Sequence, residues 1–494
     1  YDTTMIYYYH YYLSLSLFLF FLIPTIESFH NNARVVVTTK TNNRRNQKNI
    51  APILRRQQQQ QHYATSSNDD KSNNNRRKRK VLVVGGSGRV GGSTARHIHL
   101  LSSSNDDVEL ILGGRSLSSF KESKSRILSQ LKSSSDEKPF LPKISFLQLN
   151  FEEEEDNNNN NFFTNLVQLV KSCGADAMVH TAGPFQTRTK PTLLEVCIEL
   201  GIPYVDVCDE PSLCATHKEL SLLASERGIV AVTAAGIWPG ASALMTAQAI
   251  EALQQKQQQE ETKKSDKVEE DSFDITMSFF TAGTGNAGAT IVSATFLLLC
   301  QPALTIFNGM KVDKDPWSEA LDIDFRGKEG IKTVRLLDNP DVFTLNESLP
   351  KGTIKSLSSR FATSPSIWNQ LFGFMKQTIP PSILGNTGLM QNLSLFSLPI
   401  IRFVDQFVGA TNSMRVDVTS DNKKDKCTFL VTHDDLEQCV GLATAAFVLE
   451  LLDSQEIIPP GVYYPAELPS SSRNRILQQV KKDAIVWNFD TTTT

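Results

Sequence analysis

Residues Val81–Val84 run without a break into Gly85-Gly86-Ser87-Gly88-Arg89-Val90-Gly91-Gly92, and this junction limits the fold more than any other stretch of the chain. A short run of Val and Leu bounded by glycine reads as a buried parallel strand. Gly86, Gly88 and Gly91 carry the Gly-x-Gly-x-x-Gly spacing, and a helical stretch follows to about Leu101. On this reading Gly86 makes the tight turn, Gly88 lets the backbone approach a pyrophosphate, and Gly91 lets the helix sit against the strand. The free N–H groups of the new helix then point at the phosphate. Such a motif is weak alone, but here a strand precedes it, a helix follows, and Val108–Leu112 reads as a second strand.

The end of that second strand separates two dinucleotides. An NAD site places Asp or Glu there to hold the ribose 2′-hydroxyl. This chain has Gly113-Gly114-Arg115-Ser116 instead, with Asp106 and Asp107 at the wrong end of the strand. A guanidinium and a hydroxyl suit a 2′-phosphate, so NADP (NADPH) is the expected cofactor. The competing reading of Arg115 is an exposed loop arginine. Ile144–Leu149 predicts a third strand ending at Asn150, which would face the adenine edge. Ala177–His180 predicts a fourth, running into Thr181-Ala182-Gly183-Pro184-Phe185, where small residues leave room for a cofactor. Tyr204–Val207, with Asp209 just beyond, and Ile229–Thr233 predict the fifth and sixth. Pro191 and Gly201 bracket one intervening helix, Pro211 and Gly228 the other. This alternation specifies a Rossmann-type, doubly wound parallel sheet of the α/β class.

Charge narrows the partners. Residues 1–80 hold thirteen Lys/Arg and four Asp/Glu, which leaves 37 bases against 49 acids in the rest of the chain. An acidic body argues against nucleic acid, because phosphate binding needs a surplus of cations. The seven cysteines include no C-x-x-C pair and stand beside no His/Cys cluster, so neither a disulfide scaffold nor a metal site is expected. Leu13–Ile23 is too short to span a bilayer but suits a signal-peptide core. From Phe29 to Asn68 the chain has no acid, seven basic residues and much Ser, Thr, Asn and Gln, a transit-peptide composition. Residues 1–28 are therefore read as a signal-like segment and 29–79 as a disordered transit-like segment. Ser28-Phe29 is the candidate junction, and Met5 leaves the start open. The pair resembles the bipartite plastid presequence of algae with secondary plastids, which implies a plastid destination; simple secretion is the alternative.

Beyond the sixth strand, Ala234–Gly240 leads into a helix from about Ala241, and Phe273–Phe280 alternates as a strand. Gly283, Gly285 and Gly288 repeat the glycine spacing before an apolar helix, Ile291–Cys300, but no βα repeat follows. A backbone-lined substrate pocket is the preferred reading there. Met414–Val418 and Thr428–Thr432 predict strands, and Leu436–Leu452 predicts a helix. The polar runs 102–107, 133–137, 152–161 and 254–271 read as disordered expansions. The apolar stretch 393–409, broken by Pro399, Arg402 and Asp405, reads as packed core rather than as an amphipathic surface helix, and no later stretch is a transmembrane span.

Taken together, VLVVGGSGRVGG (81–92), GGRS (113–116), HTAGPF (180–185), CIELGIPYVDVCDE (197–210) and AAGIWPGAS (234–242) resemble the saccharopine dehydrogenase-like family. GTGNAGATIVSATFLLL (283–299) and PPGVYYP (459–465) are similar to its plastid and cyanobacterial-type members. The resemblance spans roughly residues 80–470. It implies an NADP-binding Rossmann domain over 80–240, a second α/β substrate domain with a mixed sheet over 241–432, and a C-terminal segment, 433–494, whose helix returns to the first domain. By the same resemblance the cofactor would contact Gly86, Ser87, Gly88, Arg89, Val90, Gly91, Arg115, Ser116 and Ala182, Gly183, Pro184 and Phe185. The implied activity is an NAD(P)-dependent oxidoreductase moving hydride to or from a C–N or C=O bond of a small-molecule substrate; a homodimer is the one candidate assembly. An enoyl-type lipid reductase, with 291–299 and 393–404 lining an acyl site, is one alternative. A non-catalytic NADP-binding interaction module is the other. Ligands in such sheets bind beyond the carboxyl ends of the strands, which makes His180 and Asp209 the catalytic candidates. Each has a structural alternative: His180 as a packed histidine, Asp209 as the cap of the Pro211 helix.

Overall fold

A computed structural model describes residues 78–102, 108–133, 141–152, 161–183, 185, 188–261, 272–283, 289–421, 424–453 and 457–493. The signal-like and transit-like residues 1–77, Pro184, Gly285 and Gly288 lie outside them. Strand β1 (Arg79–Val84) feeds helix α1 (Arg89–Leu101), and the alternation continues as predicted: β2 (Val108–Gly114), α2 (Leu117–Ser133), β3 (Ile144–Gln148), α3 (Phe162–Cys173), β4 (Ala177–His180), α4 (Thr192–Leu200) and β5 (Tyr204–Asp206). The predicted single helix from Pro211 is two, α5 (Pro211–Glu219) and α6 (Ser221–Glu226), before β6 (Val230–Val232). Val81 to Val84 are buried, as befits a strand covered on both faces.

The first sheet has the order β15-β6-β5-β4-β1-β2-β3, where β15 (Gly461–Tyr463) pairs parallel with β6. All its pairings are parallel, and the reversal of strand order beside β1 creates the crevice in which such folds bind ligands. The seventh strand was hidden in the sequence because it lies some 230 residues beyond its partner β6, outside the strand-helix alternation, and follows two prolines.

Helix α7 (Ala241–Glu261) leads to the second sheet and extends through Gln254–Glu261, so this part of the polar tract is helix; Gln and Glu are good helix formers. Then come β7 (Phe273–Ala282), α8 (Ala289–Leu298), the hairpin β8 (Ala303–Phe307) and β9 (Met310–Lys314), β10 (Leu321–Asp324), β11 (Ile331–Leu336), α9 (Pro340–Ser348) and β12 (Ile354–Ser364). Three helices follow, α10 (Ile367–Thr378), α11 (Pro381–Leu384) and α12 (Thr387–Val408), before β13 (Thr411–Ser420) and β14 (Asp425–His433). The order is β10-β11-β12-β7-β13-β14-β16, and β16 is Val486–Thr493. The sheet is mixed: β12 and β7 are parallel, the neighbouring pairs antiparallel. Thus the C-terminal segment serves both layers, β15 joining the first sheet and β16 the second.

Helix α13 (Leu436–Asp453) returns to the first sheet and lies on α1, with α14 (Ser470–Val480) beside it. The helices touch at Gly441, where an added Cβ would come within 2.6 Å of the Ser93 carbonyl carbon. The expectation that 393–409 is core is overturned: α12 is amphipathic, and Leu395, Phe403 and Phe407 on its outer face are 55%, 61% and 74% exposed. Among the described residues no helix is long and apolar enough to cross a membrane.

Candidate functional site

The glycine turn sits at the carboxyl end of β1. Its left-handed residue is Gly85, with φ +82°, so the tight turn falls one residue before the expected Gly86. A Cβ at Gly85 would lie 2.7 Å from the Ala182 nitrogen, and one at Gly86 2.8 Å from Leu112 Cδ2. A Cβ at Gly91 would lie 2.5 Å from Thr181 Oγ1. The β4 turn, Thr181-Ala182, therefore packs directly on the glycine loop, and Thr181 Oγ1 donates to the Val84 carbonyl at 2.9 Å. Gly88 is the N-cap of α1 and supplies no side chain to its free N–H groups. Beside them the buried Ser87 hydroxyl has no protein partner. Unfilled donors and a glycine surface at one helix start fit a pyrophosphate.

Two residues that sequence reasoning missed hold this loop from α2. Ser123 Oγ donates to the Gly86 carbonyl and Arg126 Nη2 to the Gly88 carbonyl, both at 2.9 Å. Their i, i+3 spacing places them on one helix face, the available sequence signal. Arg89 opens α1 and lies 3.7 Å from Glu437 of α13, with Val90 half-buried behind it. Burial, helped by Asp435, pushes the Glu437 carboxyl up to about 7 against the pull of Arg89.

Arg115 stands at the end of β2 with its side chain 76% exposed, 3.5 Å from Glu152. Ser116 caps the start of α2, its hydroxyl accepting from Ser119 N–H at 3.2 Å. Asn150 lies just past β3 and accepts from Glu152 N–H at 3.4 Å. Ala182 and Gly183 line the β4 turn, and Phe185 is buried beside Cys208 and Tyr464.

His180 ends β4, buried between Phe151 and Phe185, whose ring centroids are 5.0 and 4.8 Å away. Burial pushes its pKa down to about 3, and the nearby Arg188 pushes the same way, against the pull of Asp206. The Ala182 N–H faces His180 Nδ1 at 3.3 Å, which leaves Nε2 to carry the proton of the neutral ring. Asp209 lies two residues past Val207, partly buried. The cap of α5 is its neighbour Glu210, which accepts from Ser212 N–H at 3.3 Å. Burial and the adjoining Cys214 push the Cys208 thiol well up, so no thiolate forms there.

Three residues before Asp209 stands a carboxylate that sequence reasoning passed over. Asp206, fully buried at the end of β5, accepts from Thr233 Oγ1 at 3.0 Å and from the N–H groups of Cys208 and Ala234 at 3.0 and 2.8 Å. His217 Nδ1 lies 3.1 Å from its other oxygen. Burial alone would raise its pKa, but His217 and the two N–H donors hold it below the usual range. This hub fixes the ends of β5 and β6 relative to α5, and so the position of Asp209.

A second buried carboxylate, Asp341 at the start of α9, accepts from Gly240 N–H at 3.2 Å and from the Ser242 hydroxyl, tying α9 to the turn after β6. Burial raises it to about 7. A raised folded-state pKa gives stability that is complete below the unfolded value near 4 and lost as pH rises through 7. Between pH 5 and 8 the wild type should therefore lose about 2–3 kcal/mol relative to Asp341→Asn. Urea unfolding at both pH values checks this, and equal slopes for the two proteins would refute it.

No family model and no curated protein sequence matches the chain. Solved structures do. Apo saccharopine dehydrogenase (L-Glu forming) from Saccharomyces cerevisiae aligns with 84% of this chain and 100% of its own at 12% identity, with a TM-score of 0.52. The chain has a saccharopine dehydrogenase-like fold. Looser likenesses are to the C. glutamicum DAP dehydrogenase in complex with DAP (11% identity, 80% of this chain and 95% of that one, TM-score 0.34). An engineered D-amino acid dehydrogenase bound to NADP+ is similar at 11% identity, over 80% of this chain and 96% of its own, with a TM-score of 0.33. Within the saccharopine dehydrogenase-like fold, the glycine turn, Arg115 and Asp209 all lie at carboxyl ends of first-sheet strands.

Proposed function

We propose that the chain is an NADP-dependent oxidoreductase acting on a C–N or C=O bond of a small substrate. The observation that carries this reading is the glycine turn, where Gly85, Gly86 and Gly91 admit no Cβ and the uncapped start of α1 adjoins the buried Ser87 hydroxyl. Gly86, Ser87, Gly88 and the first turn of α1 would hold the pyrophosphate, Arg115 and Ser116 the 2′-phosphate, and Asn150 the adenine edge. The nicotinamide supplies hydride chemistry when bound. The likeness to saccharopine dehydrogenase favours a C–N bond by analogy of fold. Residues 393–404 lie on α12, whose outer face is exposed, so they do not support an acyl site between the domains. Delivery to a plastid rests on the composition of residues 1–79 alone.

A neutral His180 cannot yield a proton without forming imidazolate, so it serves as packing and as an acceptor for Ala182 N–H. Asp209 is the group we assign to proton transfer, on the segment that the Asp206 hub anchors through the Cys208 N–H. Asp209→Asn is expected to leave NADPH affinity within about twofold while lowering turnover about 10²–10⁴-fold. Oxidation of NADPH across imine, carbonyl and enoyl panels, with binding measured separately, tests this. An Asp209→Asn enzyme with wild-type turnover would remove the assignment. Tight NADPH binding with no turnover on any panel would favour the non-catalytic module.

A further inference from the structure

Glu152 was expected to open a featureless polar run, yet its carboxylate lies between two guanidinium groups. Oε1 is 2.7 Å from Arg188 Nη2 and Oε2 is 3.5 Å from Arg115 Nη1. The two cations are held very differently. Arg188 donates to the Ala182 carbonyl at 2.9 Å and lies over the rings of Phe151 and Phe185, at 5.0 and 5.8 Å, so its guanidinium is fixed. Arg115 stands largely in solvent, with 76% of its side chain exposed and its tip meeting the half-exposed Glu152 carboxylate at 3.5 Å. The anion in this cluster is therefore a side chain that can swing into water, and one of its two partners is fixed against the β4 turn.

We propose that Glu152 is a displaceable stand-in for the 2′-phosphate of the dinucleotide, and that Arg188 together with Arg115 receives that phosphate when Glu152 leaves. The inference rests on the dinucleotide reading above and adds to it a second phosphate ligand and a competing anion. Charge supports the exchange. Two guanidiniums and one carboxylate leave a single positive charge, whereas two guanidiniums alone match a phosphate monoester, which carries about −1.5 to −2 at neutral pH. A phosphate also offers three acceptor oxygens to two forked donors, more than one carboxylate can. A phosphate and the Glu152 carboxylate would repel each other, so both cannot occupy the pair. For a dinucleotide with a 2′-hydroxyl nothing drives Glu152 out. The carboxylate thus opposes the phosphorylated cofactor specifically and sets how strongly the protein prefers it.

The test is calorimetric titration of the full chain with NADPH and with NADH, for the wild type, Glu152→Gln and Arg188→Gln. Exposed ion pairs are weak, so Glu152→Gln should tighten NADPH by about three- to tenfold while changing NADH by less than about twofold. Arg188→Gln should weaken NADPH at least about tenfold and NADH much less. Wild-type binding with an unchanged NADPH-to-NADH affinity ratio in Glu152→Gln would overturn the proposal and leave the dinucleotide reading standing. So would a fall in that ratio. If the wild type and both variants bind neither dinucleotide, the dinucleotide reading fails and takes the proposal with it. The half-exposed Glu152 bears no core packing, and matching thermal midpoints confirm that its variant is folded.

Discussion

Asp206→Ala is expected to destabilise the protein by about 3–5 kcal/mol, a large share of what holds a domain folded. Its carboxylate is fully buried and serves four donors at once: Thr233 Oγ1, His217 Nδ1 and the N–H groups of Cys208 and Ala234. Removing it strands the Thr233 hydroxyl and two backbone N–H groups, each of which costs free energy when left without an acceptor, and leaves the buried His217 imidazole with Thr233 Oγ1, 2.9 Å from its Nδ1. Asp206→Asn should cost less, because the amide oxygen still accepts from some of these donors. The pH dependence has a definite sign. The folded-state pKa of Asp206 lies below its ordinary value, so its contribution is complete above pH 4 and is lost as pH falls through the folded value. Urea unfolding followed by circular dichroism measures the effect, and an alanine variant within about 1 kcal/mol of wild type would contradict the hub.

Gly91→Val should abolish dinucleotide binding and also lower stability. An added Cβ would lie 2.5 Å from Thr181 Oγ1 and 2.7 Å from the Gly85 carbonyl carbon, both fixed by the contact between the glycine loop and the β4 turn. Relief requires α1 to move away from β1, which displaces the helix start that faces the phosphates. Overpacking of this kind costs about 1–3 kcal/mol. The same shift would press α1 on α13, where Ser93 and Gly441 already leave no space for a Cβ. Thermal shift with and without NADPH reads both effects: a lower midpoint for the free variant and no further rise with cofactor. A Gly91→Val protein that NADPH still stabilises like the wild type would show that this loop does not hold the cofactor.

The first six strands were legible because buried parallel strands are short apolar runs with glycine or proline at their edges, as in Val81–Val84 and Ala177–His180. β15 was not, since it stands outside the strand-helix alternation that marks the equally short β5 and β6, and its pairing with β6 spans some 230 residues of chain. The strands β8 to β11 mix exposed and buried positions irregularly, and α12 hides an amphipathic pattern in a stretch that is apolar on average. At the site, residue types beside the glycine motif pointed to Arg115 and Asp209, which stand at strand ends as expected. Asp206 escaped notice because His217 and Thr233 reach it only through the packing of α5 and β6. Arg188 and Glu152 lie in polar runs whose composition gives no sign that folding brings them together.

The central claim is that this fold holds a phosphorylated nicotinamide dinucleotide, and the most direct test is titration of the full chain with NADPH, NADP, NADH and NAD. Binding of the phosphorylated pair at least about tenfold tighter than the other two is expected, the worth of one charge-assisted contact. Equal affinity for all four would contradict the role of Arg115, and no binding of any would contradict the oxidoreductase reading itself.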